Sequence, residues 1–300
     1  MHGKHIALAS LVAFIWGCNF IFVQLGLKEI PPLTLCALRF FLSSIPLIFF
    51  IKRPDVPWRW LILYGFLTFT LHFSFLFLGV KAGASSGIAA LLLQIKVLFS
   101  FLFSAICLGE RLTRWQVMGG CFAVIGLLIV FEHLGGGDIT FAGFKWIMLA
   151  AIMWGAGNLC IRKMGEGQGI GLIVWASFLS FPPLFLASYV IDGPTVIWTS
   201  LHALSWHGTL AVFYIAYIST WIGYGLWAWL ISIYSVNMVV PFTLLVPVFG
   251  LFVSNRVLGE GIQSWKIWAT CFILFGLMVH LFGARLPRLF KRRFWRQQNL

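Results

Sequence analysis

Arg39 and Lys96 lie inside long apolar segments, whereas the eight acidic residues (Glu29, Asp55, Glu110, Glu132, Asp138, Glu166, Asp192 and Glu260) fall in connections or at segment ends. A cation at the middle of a bilayer costs roughly 2.5–3.5 kcal/mol on insertion scales and persists where it faces a cavity or a partner. With no carboxylate beside them, these two cations predict a pathway for an anionic or zwitterionic solute. Lys96 is near the centre of its segment, deeper than its stem can carry the ammonium back to an interface. It is expected to face a cavity, where it could attract a substrate carboxylate or exchange a proton. Gln94, two residues away, points about 200° from it on a regular helix and is expected to bond a neighbouring helix instead. Arg39 is about two turns into its segment, a depth that suits ligand contact, a structural hydrogen-bond knot or snorkelling equally. His72 lies mid-segment, where a histidine either bonds another helix or titrates. With Lys96 it is the expected seat of any pH dependence.

Other polar and aromatic residues recur at helical spacing. Trp16 and Asn19 share one helix face, and Trp154 and Asn158 share another, three and four residues apart. Such indole and amide pairs fit an apolar site with a few hydrogen-bonding groups, or helix–helix contacts eased by the flanking glycines. Trp221, Tyr224 and Ala228 form a stripe, with Gly223 and Gly225 expected to leave space beside Tyr224. Pro241 and Pro247 interrupt a later segment, each removing an amide donor, and are expected to form a hinge or a cavity lining. The predicted substrate-binding set is therefore Trp16, Asn19, Arg39, His72, Lys96, Trp154, Asn158 and Tyr224, with Pro241 and Pro247 as the hinge.

The elements that carry these residues must be membrane spans. The chain is 61% hydrophobic with a mean hydropathy of +0.96. A helix needs about 20 apolar residues to cross the hydrocarbon layer. Ten segments qualify, at about 6–27, 33–51, 59–80, 86–107, 114–131, 143–163, 170–190, 208–231, 237–256 and 265–283. The first is too long for a signal-peptide core and is expected to be retained. Six cysteines within or at the ends of spans, without CxxC or Cys/His spacing, predict neither disulfides nor a metal site. Gly135-Gly136-Gly137 is a connector and no phosphate cradle, and no cofactor motif occurs. Small residues at Gly119, Ala123 and Gly126, and at Gly276 and Gly283, suit tight helix packing, within the scaffold or between two copies in a homodimer.

The net charge of +13 suggests nucleic acid until it is distributed over the connections. With ten spans and a cytoplasmic N-terminus, fourteen basic residues fall inside the cell and five outside, as the positive-inside rule requires. Both termini are then cytoplasmic. The tail 285–300, with Phe290, Phe294 and Trp295 among its cations, is expected to bind membrane lipid headgroups rather than nucleic acid.

The two halves repeat. Trp16-Gly17 answers to Trp154-Gly155 at a shift of 138, and Leu108-Gly109-Glu110 to Leu258-Gly259-Glu260 at 150, with Trp115, Cys121, Phe122 and Gly126 matched at that same shift. Five spans per half is an odd number, so the second half is inverted and a midplane site is expected between them. The predicted units are 1–134, 135–284 and the tail 285–300.

Trp16-Gly17-Cys18-Asn19-Phe20, Pro31-Pro32-Leu33, Leu38-Arg39-Phe40, Gly109-Glu110-Arg111-Leu112, Gly223-Tyr224-Gly225 and Leu244-Leu245-Val246-Pro247-Val248 resemble the EamA group of the drug/metabolite transporter superfamily. The likeness is strongest to its exporters of O-acetylserine and cysteine. Lys96 and His72 depart from that exporter pattern, standing where it carries neutral amides. The resemblance implies ten helices in two inverted five-helix repeats. It also implies secondary export of amino acids or related small metabolites across a bacterial-type inner membrane. A lipid or lipid-linked-sugar flippase of the same fold is the alternative. A membrane transferase fits less well, because the acidic residues are scattered singly and no HExxH, GxSxG or paired-Asp arrangement occurs.

Overall fold

A computed structural model of the chain describes residues 1–165, 169–234 and 236–283. The basic tail at 285–300 and Glu166 lie outside the described residues. Ten helices are long and apolar enough to cross a membrane: α1 Gly3–Gly26, α2 Pro32–Phe49, α3 Trp58–Lys81, α4 Ser86–Leu108, α5 Arg114–Glu132, α6 Phe141–Met164, α7 Gly169–Ile191, α8 Trp206–Ile233, α9 Val240–Leu258 and α10 Ser264–Phe282. Among the described residues no strand forms, as expected where lipid leaves the backbone no partner but itself.

Local sequence sets the boundaries. Pro32 opens α2 at a position that needs no amide donor. Thr113 and Gln116 bond reciprocally to each other's backbone amide to start α5. Gly109 and Gly259 end α4 and α9 in the left-handed conformation, at φ +67° and +69°.

The inverted repeat is visible in reciprocal contacts. A Cβ at Gly17 would fall 2.8 Å from Phe249 and 3.0 Å from the Gly250 amide, and one at Gly155 would fall 2.7 Å from Phe99 and 3.0 Å from the Ser100 amide. The glycines are 138 residues apart and their partners 150 apart, the two shifts of the sequence repeat. Across α5 and α10, Gly119 backs onto Gly276 while Gly126 backs onto Ala269, again mates at 150. Helices therefore pack across the halves: α1 on α9, α4 on α6, α2 on α7 and α5 on α10. The small-residue stripes pack inside the chain, with Gly283 against Trp115.

The helices lose their regularity in matched places. α3 is π-helical over Gly65–Leu71 and α8 over Tyr214–Tyr224. α4 tightens to 3₁₀ at Leu93–Ile95 and α9 at Val240–Leu244. These turns immediately precede or contain His72, Lys96 and Tyr224, the pattern expected where a helix is adapted to function.

Candidate functional site

Polar groups meet where α3, α4 and α6 come together. The Lys96 ammonium lies 4.4 Å from the centroid of the Trp154 indole. The His72 ring meets the same indole edge-on at 4.8 Å. His72 is buried, and its Nδ1 lies 2.8 Å from the Ala150 carbonyl one turn before Trp154 on α6. A carbonyl can only accept, so Nδ1 carries the proton there. One turn further along both helices, the Asn158 amide donates to the Ser100 hydroxyl at 2.8 Å, and that hydroxyl donates to the Lys96 carbonyl at 2.8 Å. Asn158 therefore fixes α6 against α4 beside the cation.

Arg39 sits at the meeting of α1, α2, α3 and α8. It is 2% exposed, which excludes the snorkelling alternative. Its guanidinium donates to Asn19 Oδ1 and Thr220 Oγ1, both at 3.4 Å, and stacks 4.4 Å from the Phe73 centroid. Its Nε is buried without a partner. Both Arg39 and Lys96 are within electrostatic range of His72, and Tyr224 is within range of Arg39.

Aromatic side chains of α1 and α8 pack together. Trp16 donates its indole N–H to the Ser219 carbonyl at 3.2 Å and packs 5.2 Å from the rings of both Tyr224 and Trp227. The space beside Gly223 is filled by Trp16, whose indole nitrogen would lie 2.6 Å from an added Cβ, and is not left free for Tyr224. The Trp221–Tyr224–Ala228 stripe is split as well. π-Helical turns aim Trp221 at the Ser43 carbonyl of α2, 2.8 Å away, while Tyr224 faces Trp16 of α1.

Pro241 and Pro247 stand where the helix changes type. Pro241 stands in the first turn of the 3₁₀ stretch and Pro247 in the first turn of the α-helical part, Leu245–Leu258. Pro247 has no amide to donate to the Thr243 carbonyl four residues back, and a change of helix type falls between the two prolines. Gln94, turned by the 3₁₀ segment of α4, donates to the Thr243 carbonyl at this junction at 2.8 Å.

Neither Arg39 nor Lys96 is ion-paired with a carboxylate among the described residues. The ion pairs among the described residues are Arg162 with Glu110 and Lys266 with Asp138, both near helix ends. A cavity of about 280 Å³ lies between α4 and α6, lined by Ser100, Phe101, Ser104, Asn158, Ile161 and Arg162. A larger hollow of about 480 Å³ lies away from these groups, between Lys28–Pro32 and the short helix Pro194–His202. Among the described residues no three His, Cys, Asp or Glu could hold a metal.

Sequence reasoning missed Thr220, Phe73, Ser100 and Ser104. For the two serines a signal existed, since Lys96, Ser100 and Ser104 form an i, i+4, i+8 polar stripe on an otherwise apolar helix.

The sequence matches the EamA-like transporter family over residues 3–132 and again over 141–282, one match per half. The chain belongs to that family. As an EamA-like transporter it is an integral, multi-pass membrane protein that carries a small molecule, and it is not an enzyme. It is 36% identical over 293 residues to a probable amino-acid metabolite efflux pump of Salmonella typhimurium, covering 96% of this chain and 98% of the relative. A protein of the same description in Escherichia coli K12 is 34% identical, covering 95% and 97%. A solved crystal structure, 18% identical, shares the fold of this EamA-like transporter with a TM-score of 0.65 over 95% of this chain and 99% of its own.

Proposed function

We propose that the chain is a secondary carrier that exports amino acids or related small metabolites by alternating access through a central chamber. The observation that carries this reading is the Lys96 ammonium, held over Trp154 at the seam of the two halves with no carboxylate against it among the described residues. A buried cation without a counter-charge is costly unless a ligand supplies one. In this reading Lys96 binds the solute's carboxylate. Arg39, fixed by Asn19 and Thr220, adds positive potential, and Trp16, Trp154 and Tyr224 form the apolar walls. His72 and Asn158 hold Trp154 and α6 in place. The units 1–134 and 135–284 rock against each other, with the junction between Pro241 and Pro247 as a hinge.

The cavity of about 280 Å³ beside Asn158, which Lys96 and Arg39 do not line, is just below the usual size of ligand sites and suits an amino-acid-sized solute better than a lipid. The descriptions of the Salmonella and E. coli relatives support the same substrate class. The excess of basic residues at the ends shared with Arg111 and Arg162 supports a cytoplasmic face there, with both termini on it, in a bacterial-type inner membrane. The test is thermal stabilisation of the purified protein, screened over amino acids, O-acetylserine, nucleosides and polyamines. Stabilisation by carboxylate-bearing amino acids or their derivatives is expected. Stabilisation by polyamines alone would contradict the reading.

A further inference from the structure

The start of α4 is capped by other parts of the chain. Its first amides point out of the helix and need acceptors. Ser85 N–H donates to the Asp138 carbonyl at 2.9 Å, Ser86 N–H to Glu260 Oε1 at 2.9 Å and Gln24 Oε1 at 3.1 Å, and Gly87 N–H to Glu260 Oε2 at 3.1 Å. The Ser85 hydroxyl, which would ordinarily cap this helix, is buried and unpartnered. A carboxylate at a helix N-terminus gains from charge-assisted bonds and from the helix dipole. Because Glu260 belongs to the second half and α4 to the first, this cap binds the halves together. The seam beneath it is closed: a Cβ on Gly87 would lie 2.6 Å from Leu251, and one on Gly250 would lie 2.9 Å from Ala90. Lys266, tied to Asp138 and to the Gly261 carbonyl, braces the same corner.

Glu110 is the repeat mate of Glu260. Each follows a left-handed glycine, and each returns its amide to a serine carbonyl six residues back, Ser104 at 3.5 Å and Ser254 at 3.4 Å. The repeat shift carries Ser86 and Gly87 to the helical stretch that leads into α9. Among the described residues, however, the Glu110 carboxylate is engaged by Arg162 of α6, and both side chains are more than two-fifths exposed. Arg162 also lines the cavity between α4 and α6. Two equivalent corners thus hold different partners: the Glu260 corner is latched and the Glu110 corner stands beside a cavity.

We infer that Glu260 and Glu110 are the gate residues of the carrier and work in exchange. With the Glu260 face closed, Glu260 caps α4 and Glu110 rests on Arg162. When that face opens, Glu260 leaves α4, and Glu110 leaves Arg162 to cap the stretch leading into α9. This inference rests on the alternating-access reading and assigns its two latches.

The experiment is hydrogen–deuterium exchange of the full chain in lipid nanodiscs, comparing wild type with Glu260→Gln and Glu110→Gln. Loss of a charged cap should make residues 85–92 exchange on the order of ten times faster in Glu260→Gln, while residues 236–240 become more protected. Glu110→Gln should do the reverse and slow exchange at 85–92. Faster exchange at 85–92 without reciprocal protection at 236–240 would reduce Glu260 to a local cap and overturn the inference. So would an unchanged 85–92 in Glu110→Gln. Glu110 is exposed and its loss leaves the α4 cap intact, so that variant carries the test alone if Glu260→Gln does not assemble. A screen in which no amino acid or metabolite stabilises the wild type would remove the substrate assignment and leave the reciprocal exchange untouched.

Discussion

The Lys96 ammonium rests 4.4 Å from the centre of the Trp154 indole, so a mid-span cation of the first half is received by an aromatic face of the second. An indole face attracts a cation without neutralising it, and the charge stays available to a ligand. The contact crosses the repeat interface.

Trp154→Phe keeps an apolar wall but weakens the quadrupole under the ammonium. The expected loss is about 0.5–1 kcal/mol of solute binding, or roughly two- to five-fold in Kd. Titration of the stabilising solute by calorimetry measures it. An unchanged Kd would mean that Trp154 only packs.

Arg39→Lys keeps the charge and removes the fork that reaches Asn19 and Thr220 together. The expected cost is about 1–3 kcal/mol of stability, read as a lower unfolding temperature in detergent. An unshifted transition would show that these bonds hold nothing.

Gly276→Ala would place a Cβ 2.5 Å from the Gly119 carbonyl and 2.6 Å from the Ala123 amide. Overpacking of this kind costs about 1–3 kcal/mol. Gly120→Ala, in the same pair of helices with nothing within 4 Å, should be neutral or slightly stabilising. Equal unfolding temperatures for the two variants would contradict the α5/α10 contact.

Glu29 ties the α1–α2 connection to the start of α8. The Ser205 hydroxyl and amide donate to its two carboxylate oxygens at 2.6 and 2.8 Å, and they hold its pKa below the ordinary carboxylate value. A depressed folded-state pKa gives stability that is full above the unfolded value, about 4.3, and is lost as pH falls through the folded one. Ser205→Ala should therefore lower the unfolding temperature near neutral pH, and the difference from wild type should shrink in acid. A constant difference across that range would exclude the linkage.

The ten spans and their inversion were legible because apolar runs of membrane length and the paired Trp-Gly and Leu-Gly-Glu motifs are local patterns. The meeting of Lys96, Trp154 and His72 was not, since it depends on how α3, α4 and α6 cross. π- and 3₁₀-helical turns also rotate each face away from regular spacing. That rotation split the Trp221–Tyr224 stripe. Arg39 could be placed by depth in the sequence, but Thr220, its partner 181 residues away, leaves no local mark. Glu260 read as one scattered acid because the amides it binds begin a helix in the other half. The prolines were visible as helix breakers, but sequence did not show that each falls in a first turn.

The most direct measurement is the affinity of wild type and Lys96→Gln for an amino acid that stabilises the protein and for that amino acid's carboxamide. If Lys96 binds the carboxylate, the variant should lose on the order of ten- to a hundred-fold in affinity for the acid, the worth of one charged hydrogen bond. Its affinity for the carboxamide should change little. Equal loss for both ligands would show that Lys96 serves the fold alone and would contradict a carboxylate-binding chamber.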